Sequence, residues 1–373
     1  MIVDSHAYCF TAPDTPAGHE SVEAHLEFWQ RQYALHHQPA FRVRDRAPGD
    51  ARLLLDPTPD DPLRVSRERN FRVDHSTKRF VWTVDGQDYT KQQLPPNVIE
   101  FGPGALIAEM DHADVDWALL HTDATLSKDL GYLASCVRAY PGRLKAMAPV
   151  DEWLIPGSPD AAIKQARDAI AIHGLHAVKI IPEYAYRIAG ARRFTEPSWR
   201  PFWDAATQLG VPFFFTLGAS PGSSDPREGF LQELRVLREW MDRYPRAVVS
   251  VTHGYPWRDF LEGGRLVLPK DMWEPFSDST LCIEVGFPFR LGDLFDYPFV
   301  ECRPALEGMI RQIGPDRLLW GTDMPFQNRF CTYRQSRRYI ENYCQDLLSP
   351  ADMAKLMGGT AARILRIKSP GLS

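Results

Sequence analysis

Residues 211–254 read VPFFFTLGASPGSSDPREGFLQELRVLREWMDRYPRAVVSVTHG. A short apolar run, VPFFFTLG (211–218), breaks into a turn rich in Gly, Ser, Pro and Asp. A longer amphipathic stretch follows, FLQELRVLREWMDRYP (230–245), and a second apolar run, AVVSVTHG (247–254), ends the segment. Strand, helix and strand in that order form a parallel βαβ unit.

The same alternation extends in both directions from about residue 112. Upstream lie VDWALLHTD (115–123), RLKAMAPVD (143–151) and HAVKIIPE (176–183), and downstream lie STLCIEVG (279–286) and RLLWGTD (317–323). MIVDSH at the start makes eight strands, with helical stretches such as SPDAAIKQARDAIAIHG between them. Eight βα units predict a (β/α)₈ TIM barrel. A doubly wound open sheet is the competing architecture, but no Gly-x-Gly-x-x-Gly follows any of these strands. Residues 10–111 break the pattern with a Pro-, Arg- and Asp-rich insertion between strands one and two, expected to act as a cap or oligomerisation arm on one barrel domain spanning 1–373. Within it, KRFVWTVDGQDYTK predicts a hairpin turning at Asp85-Gly86, and the Arg/Asp/Pro-rich part, about 41–70, is expected to be partly mobile. LSPADMAKLMGGTAARILRI (348–367) predicts a closing helix, with Ser349 as N-cap and Pro350 at its first position.

The composition narrows the partners. Of 373 residues, 44% are apolar, enough for a sizeable core, and the net charge of −5 comes from interspersed acids and bases. Without a basic run there is no nucleic-acid footprint. No apolar stretch approaches the roughly 18 residues of a membrane helix, and no secretory signal is visible. Six cysteines lie scattered without a Cys-x-x-Cys pair, which argues against a thiolate zinc site and for reduced thiols in a cytoplasm.

Barrels of this kind place their chemistry at the C-terminal ends of the strands. Strand one ends at His6 and Tyr8, strand two at His121 and Asp123, strand four at Glu183, strand five at Thr216, strand six at His253, strand seven at Glu284 and strand eight at Asp323. Strands three and four carry Lys145 and Lys179, and Asp151 follows strand three. Alternation puts Asp4, His6 and Tyr8 on one face; if it is the interior, Asp4 lies a layer below the other two. Imidazoles and carboxylates at one mouth suit a divalent metal, Zn²⁺ or Fe²⁺/Mn²⁺. The expected ligands are His6, His253 and Asp323, with Glu183 or His121 assisting, and His253 and Asp323 are also the expected catalytic groups. Lys179 and Arg329 are candidates for a substrate carboxylate, Arg329 being read rather as a surface salt bridge. His19, His25, His36, His37, His75, His112, His173 and His176 are expected at the surface.

With these residues in view the chain resembles the amidohydrolase superfamily, in the branch of aminocarboxymuconate-semialdehyde decarboxylase and the hydroxybenzoate decarboxylases. VDSHAY, YPGRLKAMAPVD, HAVKIIP, FWDAATQLGVPFFF, VTHG, LLWGTDMP and MGGTAARIL carry the likeness, which spans nearly everything outside the insertion. The resemblance implies a metal held by an Asp-x-His-x-His start, a strand-five histidine and the strand-eight aspartate, with a strand-six histidine close by. This chain keeps Asp4, His6, His253 and Asp323 but has Tyr8 and Thr216 where two histidines belong. A neutral tyrosine is a poor ligand near pH 7, so His121, Glu183 or Glu284 would have to complete the set, for one metal or two. The main expectation is a metal-binding subunit of a non-haem metal oxygenase complex acting on a small amino or carboxylic acid, resembling the two-subunit hydroxylase of aminoisobutyric acid. It would pair with a related second barrel subunit or a second copy of itself, and this chain would carry the poorer site. The alternatives are a stand-alone zinc-dependent hydrolase or non-oxidative decarboxylase of a small carboxylate substrate, and a non-catalytic partner barrel.

Overall fold

The computed structural model describes residues 1–56, 58 and 61–368. Eight parallel strands form the central sheet in chain order: β1 (Val3–Ala7), β2 (Trp117–Leu120), β3 (Leu144–Ala148), β4 (Ala177–Ile180), β5 (Phe213–Phe215), β6 (Val249–Val251), β7 (Cys282–Val285) and β8 (Leu318–Trp320). A parallel bridge between Ala7 and Met324 brings the last strand back to the first. The Tyr8 amide donates to the Met324 carbonyl at 2.8 Å and the Asp323 amide to the His6 carbonyl at 2.9 Å. The architecture is the (β/α)₈ barrel anticipated from the alternating runs.

The interior follows the two-residue period of a strand. Val3, Leu119, Met147, Ala177, Phe214, Cys282 and Leu319 make one buried apolar layer. Ala361, Ala362, Ile364 and Leu365 of the C-terminal helix pack against that layer and plug the barrel floor. Ser349 caps the start of this helical segment by accepting from the Asp352 amide at 3.1 Å, and Pro350 is its first residue. Two residues further along, β1, β2, β4 and β7 turn polar at Ser5, His121, Lys179 and Glu284, all buried, as is Thr252 at the end of β6. Polar groups so placed must find partners inside the barrel, and those partners build the site.

Between β1 and β2 the insertion contributes α1 (Val22–Leu35) and a five-stranded antiparallel sheet. Arg79–Val84 and Gln87–Lys91 are paired across Asp85 (φ 48°) and Gly86 (φ 71°), the left-handed pair a tight two-residue hairpin requires. Trp29 and Tyr33 of α1 pack on Phe80 at 4.7 and 5.1 Å between ring centres. The Gln30 side chain donates to the carbonyls of Leu54 and Ser66, both at 2.8 Å. Residues 57, 59 and 60 of the Arg/Asp/Pro-rich part, about 41–70, lie outside the described residues. His25 is buried rather than at the surface. Its two ring nitrogens lie 2.7 Å from the carbonyls of Thr15 and Thr125, fastening α1 to the loop after β2. Among the described residues no helix is long and apolar enough to cross a membrane, and all six cysteines are free and buried.

Candidate metal centre

At the C-terminal end of β1 a register irregularity between Asp4 and Ala7 breaks the simple alternation. Asp4 therefore does not lie in a layer beneath His6. Its carboxylate accepts from the His6 amide (2.9 Å), the Thr322 amide (3.1 Å), the Thr322 hydroxyl (2.5 Å) and the Tyr333 hydroxyl (2.6 Å). Asp4 is thus used up in fastening the end of β1 to the end of β8. Burial raises its pKa to about 6, against the pull of these donors.

His6 turns into the barrel. Its ring stacks on His121 at 3.5 Å and on His253 at 4.4 Å. Nδ1 lies 2.8 Å from Glu284 Oε2, and Nε2 lies 3.0 Å from the Tyr8 hydroxyl and 3.5 Å from Asp323 Oδ1. Glu284 also accepts from the His253 amide at 2.6 Å and the Ser5 hydroxyl at 3.2 Å. With Nδ1–H directed at Glu284, the Nε2 lone pair faces the mouth, the tautomer a metal ligand needs. Gly321 makes room for this pair, because a Cβ there would sit 2.9 Å from Ser5 Oγ, 3.2 Å from His6 Cβ and 3.3 Å from Glu284 Cδ. Gly321→Ala is expected to shift His6 off Glu284 and to weaken metal binding by about 10–100-fold, the range for losing a supporting partner. Competition with a chromophoric chelator measures it.

His253 and Asp323 follow β6 and β8, and both hold left-handed backbones, φ 66° and φ 60°. That region is unfavourable by roughly 1–2 kcal/mol for an L-residue other than glycine, and such outliers gather at functional sites. Gly254 continues the turn at φ 72°. The turned backbones aim both side chains at one point, with His253 Nε2 3.4 Å from Asp323 Oδ1. His6, His253 and Asp323 form one group of converging donors, and His6, His121 and Glu284 a second, deeper one.

The first group fits a divalent cation. Ligand atoms about 2.1 Å from a tetrahedral ion stand about 3.4 Å apart, matching the two separations at Asp323. Burial pushes the pKa values of His6 and His253 well down, leaving neutral imidazoles with lone pairs. Burial raises Asp323 to about 7, opposed chiefly by Arg290 and Arg329. His253 Nδ1 is buried without a hydrogen-bond partner among the described residues. A carboxylate and two neutral imidazoles are the ligand chemistry of zinc, iron and manganese sites.

The other candidates are sorted by position. His121 joins the deeper group, its Nε2 2.8 Å from the Ser5 carbonyl and its Nδ1 unpartnered among the described residues. Glu183 lies apart, on the helix Pro182–Ile188, where it pairs with Arg187 one turn on. Thr216 bonds Thr252 at 2.6 Å. Tyr8, at the second-histidine position, touches His6 and accepts from Lys179 Nζ at 3.1 Å. Burial and the carboxylates of Asp323, Asp123 and Glu284 push its pKa well above the usual value, so it is a neutral hydrogen-bonding group. Burial lowers the Lys179 pKa, with Asp123 acting the other way from 3.9 Å. Lys145 is remote from the mouth, its ammonium 5.7 Å from the Trp117 ring centre, and Asp151 pairs with Lys128 at 3.2 Å.

A cavity of about 170 Å³ opens over His253 and Asp323, walled by Tyr8, Trp29, His36, Phe289, Arg290, Phe326 and Arg329 among others. His36, expected at the surface, is partly buried in this wall at the C-terminal end of α1, while His37 also borders it and is exposed as expected. Arg329 belongs to this wall rather than to a surface salt bridge, donating to the Phe326 carbonyl at 2.9 Å and lying 3.3 Å from His36 Nε2. Arg290 went unnoticed in the sequence. Its only signal is position, in the segment GFPFRLG directly after β7.

The chain matches the family Amidohydro_2, described as amidohydrolase, over residues 22–367. No curated protein sequence matches it. Among solved structures, 5-carboxyvanillate decarboxylase from Sphingomonas paucimobilis is 21% identical, covering 72% of this chain and 84% of that one, with a TM-score of 0.51. A probable 2-pyrone-4,6-dicarboxylic acid hydrolase from Acinetobacter baumannii, with citric acid bound, is 14% identical over 74% of this chain and 92% of that one, with a TM-score of 0.52. The 5-carboxyvanillate decarboxylase of Novosphingobium aromaticivorans, complexed with manganese and 4-hydroxy-3-methoxy-5-nitrobenzoic acid, is 18% identical over 70% and 79%, with a TM-score of 0.50. At these identities the likeness establishes the fold.

Proposed function

This chain belongs to the amidohydrolase family, and from that premise we propose that it is a metal-dependent non-oxidative decarboxylase of a small carboxylate substrate. The observation that carries the proposal is the convergence of His6 Nε2, His253 Nε2 and Asp323 Oδ1 beneath a cavity at the barrel mouth. Decarboxylases of aromatic acids and a probable hydrolase of a dicarboxylic acid share the fold, and each acts on a small carboxylate. Manganese in one of them supports a divalent cofactor.

His6, His253 and Asp323 would hold the cation. When bound, it supplies positive charge that stabilises negative charge developing on the substrate. The carbon that loses carbon dioxide must gain a proton. Asp323, which would give one carboxylate oxygen to the cation, keeps a second to hold and move it, and burial has raised its pKa to about 7. Lys179 donates to the Tyr8 oxygen, and the Tyr8 hydroxyl lies 3.0 Å from His6 Nε2, so a cation taking that lone pair would turn the hydroxyl proton to the cavity floor. Trp29 and His36 close the wall from the insertion, and on this reading the insertion (10–111) acts as a cap that limits water.

Two imidazoles and one carboxylate are also the ligand type of non-haem iron oxygenases. That set favours, as a second reading, a subunit of a metal oxygenase complex with a related second barrel; nothing in the comparisons adds to it. Metal analysis of the purified chain, followed by assays with benzoate-type and short-chain acids, separates the two. Carbon dioxide release without oxygen uptake by the metal-loaded chain alone is the expected result. Iron or manganese with oxygen consumption only when a second related chain is present overturns it in favour of the oxygenase. Hydrolysis without carbon dioxide release assigns the same centre to a hydrolase.

A further inference from the structure

The cavity wall is cationic, but its cations are not equivalent. Arg258 pairs with Asp293. Arg329 has its Nε on the Phe326 carbonyl and its Nη1 beside His36. Lys179, beneath the floor, is bonded to Tyr8. Of these cations only Arg290 has no side-chain hydrogen bond and no ion pair to the described residues. Its Nε is fully buried and unpartnered, and its guanidinium lies 5.3 Å from the Phe289 ring centre. It lines both the cavity over Asp323 and the adjoining cavity reaching Glu183 and Thr216, and so marks their junction.

A partly buried guanidinium whose Nε is buried without a partner is costly unless something else pairs with it. Its planar fork matches a carboxylate through two parallel hydrogen bonds. Phe289 lies against it, and Tyr8, Trp29 and Phe326 line the same cavity. The 170 Å³ of space beside it compares with the roughly 150 Å³ of an apolar cavity that accepts benzene. We propose that Arg290 is the anchor of the substrate carboxylate and sets the specificity of this cavity for single-ring or similarly small monocarboxylates. The inference rests on the proposed small-carboxylate reading of the same site and adds to it the group that recognises the acid.

Calorimetric titration with benzoate, and with benzamide as its neutral match, tests this on the full-length metal-loaded chain. The wild type is expected to bind benzoate saturably and benzamide not at all. Arg290→Met should weaken benzoate by about 30-fold or more, as for truncating one partner of a buried charge pair. Arg290→Lys, which keeps charge but loses the fork, should weaken it by about fivefold. Arg329→Met should change it less than Arg290→Met, since Arg329 is already bonded to the protein. Metal content per chain should stay that of the wild type in both Arg290 variants; if Arg290→Met fails to fold, Arg290→Lys carries the comparison. Benzoate affinity in the folded Arg290 variants within about twofold of wild type overturns the proposal. So does a wild type that binds no benzoate, or a joint loss of metal and benzoate in both variants, which would make the arginine a support of the centre. Arg290-dependent benzoate binding without carbon dioxide release from any acid sustains the anchor and defeats the decarboxylase reading alone.

Discussion

Asp323→Ala is expected to leave a folded chain that no longer retains a divalent metal and shows no turnover. Asp323 is the single carboxylate of the outer group, with both imidazole Nε2 atoms within 3.5 Å of its Oδ1. Removing it takes away the only anionic ligand and leaves two neutral imidazoles. The loss should exceed the roughly 100-fold that follows removal of a supporting partner. Stability should fall little, because the backbone bond between residue 323 and the His6 carbonyl survives the substitution. Relief of a carboxylate buried against its solvation preference works in the same direction. Elemental analysis after gel filtration checks it, and Glu183→Gln serves as the comparison, since Glu183 pairs with Arg187 away from the centre. Metal retained by Asp323→Ala at the wild-type level would remove Asp323 from the ligand set.

Glu284→Gln should act almost as strongly without replacing a member of the outer group. Glu284 receives the His253 amide, the Ser5 hydroxyl and His6 Nδ1. Glutamine keeps one acceptor for the His253 amide but brings an NH₂ against His6 Nδ1. The imidazole must then accept at Nδ1 and carry its proton on Nε2, where a cation needs the lone pair. Metal affinity is expected to fall by about 100-fold while the chain stays folded, and ¹⁵N resonances of the His6 ring should report the exchanged tautomer. Unchanged affinity together with an unchanged tautomer would leave Glu284 a purely structural acid.

The strand pattern was open to sequence reasoning because alternation and strand ends are local properties. The run AVVSVTHG contains β6 and ends at His253, as RLLWGTD contains β8 and ends at Asp323. The Asp85-Gly86 hairpin was legible for the same reason, since two left-handed residues in a tight turn select those residue types. His25 and His36 were misplaced because they lie within α1 and at its end, outside the strand pattern. Their burial comes from α1 lying across the barrel, a contact between segments about 100 to 300 residues apart. Asp4 was misassigned to a lower layer because the irregularity at the end of β1 arises where that strand closes on β8.

Glu284 illustrates the remaining limit. Its strand and its inward face follow from a period of two, but its partner His6 is 278 residues away, and only closure of the barrel brings them to 2.8 Å. Arg290 carries no local signal beyond its place just after β7; its meaning is that Arg258, Arg329 and Lys179 around it are already paired. The chain's order of apolar runs therefore settled the barrel, its polar upper layer and which strands end in imidazole or carboxylate, because those depend on short-range periodicity. Which of these groups meet and which cavity cation lacks a protein partner were settled by the folded chain. Donor convergence within a few ångströms depends on strand closure and on the left-handed turns at His253 and Asp323, which no local pattern encodes.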